Sequence, residues 1–84
     1  MKVRFEVRFT PRFLKRMRSL DGEAQVRVLR GVSVLKADPF VGKPLRGEWG
    51  GVYSLRVGDY RVLYQVRENV VFLLVVGHRK RVYE

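Results

Sequence analysis

The residues in this 84-residue chain that could do chemistry together are Arg56, Arg61, His78, Arg79 and Tyr83. A two-residue turn at Gly58-Asp59 sets the register of a hairpin, placing Arg56 opposite Arg61, Leu55 opposite Val62 and Tyr53 opposite Tyr64. Like charges directly opposite on a sheet destabilise it by up to roughly 1 kcal/mol. A phosphodiester lying across the pair would offset this by accepting charge-assisted hydrogen bonds from both guanidiniums. Glu48, Asp59 or solvent would serve as well, the commoner fate of a surface arginine pair. A second two-residue turn, Glu68-Asn69, pairs Arg61 with Val76 in a regular register, and His78 then falls on the Arg61 face. Arg79, Lys80 and Arg81 follow at once and Tyr83 closes the group, an inventory suited to RNA cleavage without a metal. No carboxylate pair or serine triad competes. Gly47, Gly50 and Gly51 lack the Lys-Ser/Thr of a phosphate loop and read as turn residues.

The elements that must position these groups follow from periodicity. Val3, Phe5, Val7 and Phe9 alternate as in a half-buried strand. Thr10-Pro11 supplies a helix cap and a first-turn proline, and Phe13, Leu14, Met17 and Leu20 continue at helical spacing. Asp21-Gly22 ends that helix and caps the next. Residues 23–37 fit two periods: Val26, Val28, Val32 and Val34 alternate, while Val26, Leu29, Val32 and Leu35 form a helical stripe. Length, and the stop at Asp38-Pro39, favour helix. Residues 38–51, rich in Gly and Pro, read as loop. Strands are expected over Val52–Val57, Tyr60–Arg67 and Val70–Gly77. The result is a single α+β domain over residues 1–84: an N-terminal strand, two helices, then a three-stranded antiparallel meander, with the helices on one face. Tyr53, Leu55, Val57, Tyr60, Val62 and Tyr64 should lie beneath them. Arg56 and Arg61 should occupy the other face with Ser54, Leu63 and Gln65.

Composition sets the bounds. A chain of this length buries about 60–65% of the surface its unfolded form exposes. With no cysteine and one histidine, it has no disulfide framework, and neither a metal nor another cofactor is expected. Lys and Arg number 18 against 8 Asp and Glu, a formal +10. Such a field draws polyanions, and most of the cations are Arg, whose planar fork grips phosphate oxygens in pairs. The longest apolar run, Val70–Val76, is too short to span a bilayer. The opening MKVRFEVRFT has no apolar core of a signal peptide, so the expectation is a cytoplasmic protein without a membrane partner.

Two segments, KPLRGEWGGVYSLRVGDYRVLYQV (residues 43–66) and VVGHRKRVYE (residues 75–84), resemble the RelE/ParE toxin superfamily, and the similarity runs along nearly the whole chain. The resemblance implies the toxin of a type II toxin–antitoxin pair, of the RelE-like kind that cuts mRNA in the ribosomal A site. Such enzymes need no metal and align the ribose 2′-hydroxyl for in-line attack on the adjacent phosphate. Arg61 in GDYR and Arg79 in GHR match the family's active-site arginines, and Tyr83 matches its tyrosine near the carboxyl end. His78 stands where relatives have His or Lys.

On that reading Arg61, Arg79, His78 and Tyr83 are the catalytic set: the arginines stabilise phosphorane charge, His78 transfers a proton, and Tyr83 stacks on a base or shuttles a proton. The readings in which His78 merely ends a strand and Tyr83 packs on a helix stand beside it. Arg56, Lys43, Arg46, Lys80 and Arg81 would bind RNA. The best-known endonucleases of the family carry two lysines on the strand before GDYR, where this chain has Val52 and Ser54; Lys43 or Arg46 could reach the site instead. Ribosome, mRNA and an acidic RelB-like antitoxin are the implied partners. The antitoxin would cover an apolar patch at Val70, Phe72 and Leu74 together with the arginines. A ParE-type inhibitor of DNA gyrase without nuclease activity is the alternative, and a non-catalytic RNA- or antitoxin-binding module is a third.

Overall fold

A computed structural model describes residues 4–83, so Val3 of the expected first strand lies outside the described residues. Strand β1 (Glu6–Phe9) leads into α1 (Pro11–Arg18), α2 (Gly22–Val32) and a 3₁₀ turn at Ser33–Lys36. Then come β2 (Lys43–Pro44), a second 3₁₀ turn at Gly47–Trp49, β3 (Tyr53–Val57), β4 (Tyr60–Arg67) and β5 (Val70–His78). The sheet has five strands in the order β1-β5-β4-β3-β2. Its β2–β5 portion is antiparallel, whereas β1 pairs parallel with β5 at one edge. The α+β class and the helix–meander order match the expectation. The added strand, β2, sits inside the segment read as loop, because a two-residue edge strand ending in proline has no periodicity to detect.

Both caps form as the sequence implies. The Thr10 hydroxyl accepts from the Phe13 N–H at 3.3 Å, and the Asp21 carboxylate accepts from the Ala24 N–H at 2.8 Å. Thr10 also donates to the Leu73 carbonyl at 2.6 Å, tying the start of α1 to β5. Phe13 and Met17 of α1 are buried, and the helix lies against β5.

In α2 the face turned to the sheet is Ala24, Val28, Gly31 and Val32, continued by Leu35 in the 3₁₀ turn, whereas the expected stripe included Val26 and Leu29, which are 48% and 42% exposed. Gly31 sets that choice. A Cβ at this position would lie 2.6 Å from a Val57 methyl carbon, so the glycine lets the helix approach β3 closely. Gly31→Leu should therefore lower the free energy of unfolding by about 1–3 kcal/mol in urea titration, the overpacking cost exceeding any gain in helix propensity.

The helix-side core joins those residues to Val62, Tyr64, Val71, Leu73 and Val76, with Tyr53, Leu55, Val57 and Tyr60 partly buried around it. That is the face the alternation assigns to the helices. A second, smaller cluster lies on the opposite face: Val52, Leu63, Val75 and Val82, with Leu45, Trp49 and Leu74 packed against it.

Tyr64 ties the loop before β2 to the core. Its buried phenol oxygen accepts from the Gly42 N–H at 3.0 Å, and its ring stacks on Tyr53 at 5.5 Å. Burial pushes the Tyr64 phenol above its ordinary value of 10.0, with the Gly42 hydrogen bond opposing and the negative charges of Tyr53 and Asp38 reinforcing the rise. The folded chain thus keeps a proton that the unfolded chain releases. This contribution is complete below pH 10.0 and is lost as pH climbs from there through the folded-state value. Wild-type stability in urea should consequently decline more steeply above that pH than the stability of Tyr64→Phe.

Candidate active site on the arginine face

The hairpin at Gly58-Asp59 has the expected register: Arg56 faces Arg61, Ser54 faces Leu63 and Tyr53 faces Tyr64. Gly58, at φ 59°, takes the left-handed first position of the turn. Neither arginine is in an ion pair among the described residues, so Glu48 and Asp59 leave both uncompensated. Arg61 is half-buried and its Nη1 donates to the Ser54 hydroxyl at 3.1 Å. Arg56 is exposed and its Nε donates to the Gly58 carbonyl at 3.4 Å. The Ser54 bond uses one corner of the Arg61 fork and leaves its other N–H groups for an anion.

Lys43 stands directly across from Ser54 on β2, and the next outward pair, Leu45 and Val52, belongs to the same small cluster as Leu63. Lys43 is therefore on the arginine face, one strand beyond the Ser54 to which Arg61 is bonded. Arg46 follows in the turn toward Trp49 and is exposed.

The second hairpin departs from regularity. Leu63 pairs with Val75 but Tyr64 with Leu73, so Leu74 is an extra residue in β5. Leu74 and Val75 consequently both pack in the small cluster, as a bulge allows. Beyond it the ladder moves by one: Arg61 pairs with Gly77, not Val76, and His78 pairs with Tyr60. The expectation that His78 shares the Arg61 face is thus corrected. Its ring meets Tyr60 edge-on at 6.2 Å, on the helix side of the sheet, and its Nδ1 accepts from the Lys80 N–H at 3.3 Å.

Arg79 comes directly after the last residue of β5. Its N–H donates to the Asp59 carbonyl at 2.9 Å, one step beyond the Tyr60–His78 pair. The chain turns back at once: Arg81 and Val82 both donate their N–H groups to the His78 carbonyl, at 2.8 and 3.0 Å. Val82 is buried over Gly77, where an added Cβ would come within 3.3 Å of the Val82 Cα. Tyr83 follows and meets Trp49 edge-on at 5.6 Å.

One face thus gathers Arg56, Arg61, Lys43 and Tyr83 with exposed Arg46 nearby, while His78 lies across the sheet and shares a recess at the end of β5 with Lys80 and Arg81, and Arg79 opens the turn between them. Sequence reasoning passed over Trp49, which sits among turn glycines; its being the sole tryptophan was the available signal. Val70, Phe72 and Leu74 are half-buried, and Phe72 and Leu74 line a recess with Thr10, Gln65 and Arg67 on this face.

Comparison with known proteins agrees with this architecture. A family model described as the ParE toxin of the type II toxin-antitoxin system parDE matches residues 7–83. The chain belongs to this family, within the RelE/ParE superfamily of toxin–antitoxin proteins. It is similar to Toxin RelG of Mycobacterium tuberculosis (strain ATCC 25618 / H37Rv), at 47% identity over 45 residues, 51% of this chain and 52% of that protein. The match spans about half the length of that curated relative. Over longer stretches it resembles the toxin–antitoxin complex RelBE2 of Mycobacterium tuberculosis, with 36% identity and a TM-score of 0.86 across 92% of this chain and 100% of that one. The archaeal RelE–RelB complex of Pyrococcus horikoshii OT3 aligns with 27% identity and a TM-score of 0.74 over 96% and 99% of the two chains.

Proposed function

We propose that this chain is a toxin that cuts mRNA on the ribosome by attack of a ribose 2′-hydroxyl on the adjacent phosphate. The observation that carries the reading is an arginine, Arg61, free of carboxylates among the described residues and held opposite Gly77, over which the tail packs Val82 and leads into Tyr83. Arg61 and Arg79 stabilise charge on the phosphorane oxygens, the term usually largest in such sites. Lys43 and Arg56 extend the cationic surface under the RNA, and Arg46, Lys80 and Arg81 hold flanking phosphates. Tyr83 contacts a base. His78, on the other side of the sheet, leaves the reacting group and joins Lys80 and Arg81 in a recess at the end of β5. The site acts through preorganised positive charge, and the ribosome orients the message.

An acidic, RelB-like antitoxin is the proposed partner, in keeping with the complexes named above. Its amphipathic segment would cover Phe72 and Leu74 and neutralise the arginines beside them.

The description of the matching family favours a second reading, a ParE-type toxin that binds gyrase and has no nuclease activity. Purified protein added to ribosomes programmed with mRNA in the A site separates the two. Cleaved message supports the nuclease. Intact message, with gyrase supercoiling inhibited, establishes the second reading, and intact message with gyrase unaffected leaves a binding module.

A further inference from the structure

We propose that Thr10 is a positioning residue for the arginine face: its hydroxyl locks the bulge at Leu74 and thereby decides which residue of β5 stands opposite Arg61. The catalytic consequence rests on the nuclease reading above, whereas the lock itself does not. In a regular strand consecutive carbonyls point to opposite edges. At Leu73 and Leu74 they do not: the Thr10 Oγ1 lies 2.6 Å from the first carbonyl oxygen and 3.2 Å from the second, so both turn toward the end of β1. The Thr10 N–H adds a further bond, to the Leu73 carbonyl at 3.2 Å. Thr10 thus serves the carbonyl that the bulge turns away from the β4 ladder.

The apolar run of β5 does little to hold this register. Both faces of the strand are packed, Leu73 and Val76 beneath the helices and Leu74 and Val75 in the small cluster. Without the bulge, Leu74 would replace Val75 opposite Leu63, Val75 would replace Val76 opposite Val62, and Val76 would replace Gly77 opposite Arg61. The first two exchanges put one aliphatic side chain in the place of another. The third closes the gap over which Val82 settles and returns His78 to the Arg61 face. Thr10 therefore acts on the site through a bulge three residues short of Gly77, a separation of roughly 10 Å, and without touching RNA.

The same hydroxyl caps α1 by accepting from the Phe13 N–H at 3.3 Å, so the variants must separate cap from lock. Thr10→Asp keeps an acceptor for the cap and has no hydroxyl proton to give the two carbonyls, whereas Thr10→Ser keeps both functions. Register is read from cross-strand backbone proton contacts by NMR, and activity from mRNA cleavage on programmed ribosomes. The wild type and Thr10→Ser should show Arg61 against Gly77 and Val62 against Val76, and should cleave alike. Thr10→Asp should move these contacts to Arg61 against Val76 and Val62 against Val75. Its kcat should fall by about 10²-fold with little change in KM, because the cations that hold the message remain. If Thr10→Asp does not fold, Thr10→Val, which keeps the shape and loses the hydroxyl, supplies the same reading of the register. Unmoved contacts in a folded variant that lacks the hydroxyl proton would overturn the lock. A moved register with undiminished cleavage would overturn the positioning role. A wild type that cuts no message would remove the nuclease reading, and the contacts alone would then decide the lock.

Discussion

Arg61→Ala and Arg79→Ala should each lower mRNA cleavage on programmed ribosomes by about 10²–10³-fold, the loss expected when one preorganised charge-stabilising donor is removed. The drop should appear in kcat as well as kcat/KM, because the guanidiniums act most strongly on charge that develops during the reaction. Folding should change little. Removing Arg61 relieves its repulsion from Arg56, worth at most about 1 kcal/mol, and leaves the buried Ser54 hydroxyl without its partner, a cost of similar size and opposite sign. Arg61→Lys restores the charge without the planar fork and should recover only part of the rate. The measurement pairs single-turnover cleavage with thermal melting of each variant. Undiminished cleavage in both alanine variants would remove the arginines from the reacting set.

Gly77→Val should lower cleavage by about 10²-fold while leaving the helix-side core assembled. Gly77 lies opposite Arg61, and its missing side chain is the space into which the tail settles. An added Cβ would come within 3.3 Å of the Val82 Cα, and the two remaining carbons of valine have no room beneath it. Backbone cannot rotate aside as a side chain can, so the turn at residues 79–82 must lift. Lifting carries off Arg79 and separates Tyr83 from Trp49 in one step. The cost in stability should be about 1–3 kcal/mol, since only the small cluster is opened. Cleavage kinetics together with urea titration separate this local effect from general unfolding. Val82→Ala should act in the same direction and more weakly, because it loosens the tail without displacing it.

How much of this was legible in the sequence depended on the range of the signal. Local chemistry was readable: Thr10 and Asp21 cap their helices, and the two-residue turn at Gly58 fixes Arg56 against Arg61. Three features depended on tertiary packing and were not. The bulge at Leu74 leaves no mark in a continuous apolar run, yet it moves His78 to the other face and sets Gly77 opposite Arg61. The helical stripe read from the sequence ran through Val26 and Leu29, because the absent side chain of Gly31 gives no apolar signal to mark the face that packs on Val57. The strand that carries Lys43, a residue the sequence already offered as able to reach the site, has only two residues, too short for any periodicity. The family resemblance identified the arginines. The register decided which of their neighbours could join them.

The parallel pairing of β1 with β5 has a temporal consequence. Among the described residues, 6–9 have residues 70–73 as their only strand partner, so the first strand can join the sheet only after a loop of roughly sixty residues closes, later than the helices and hairpins whose contacts are local.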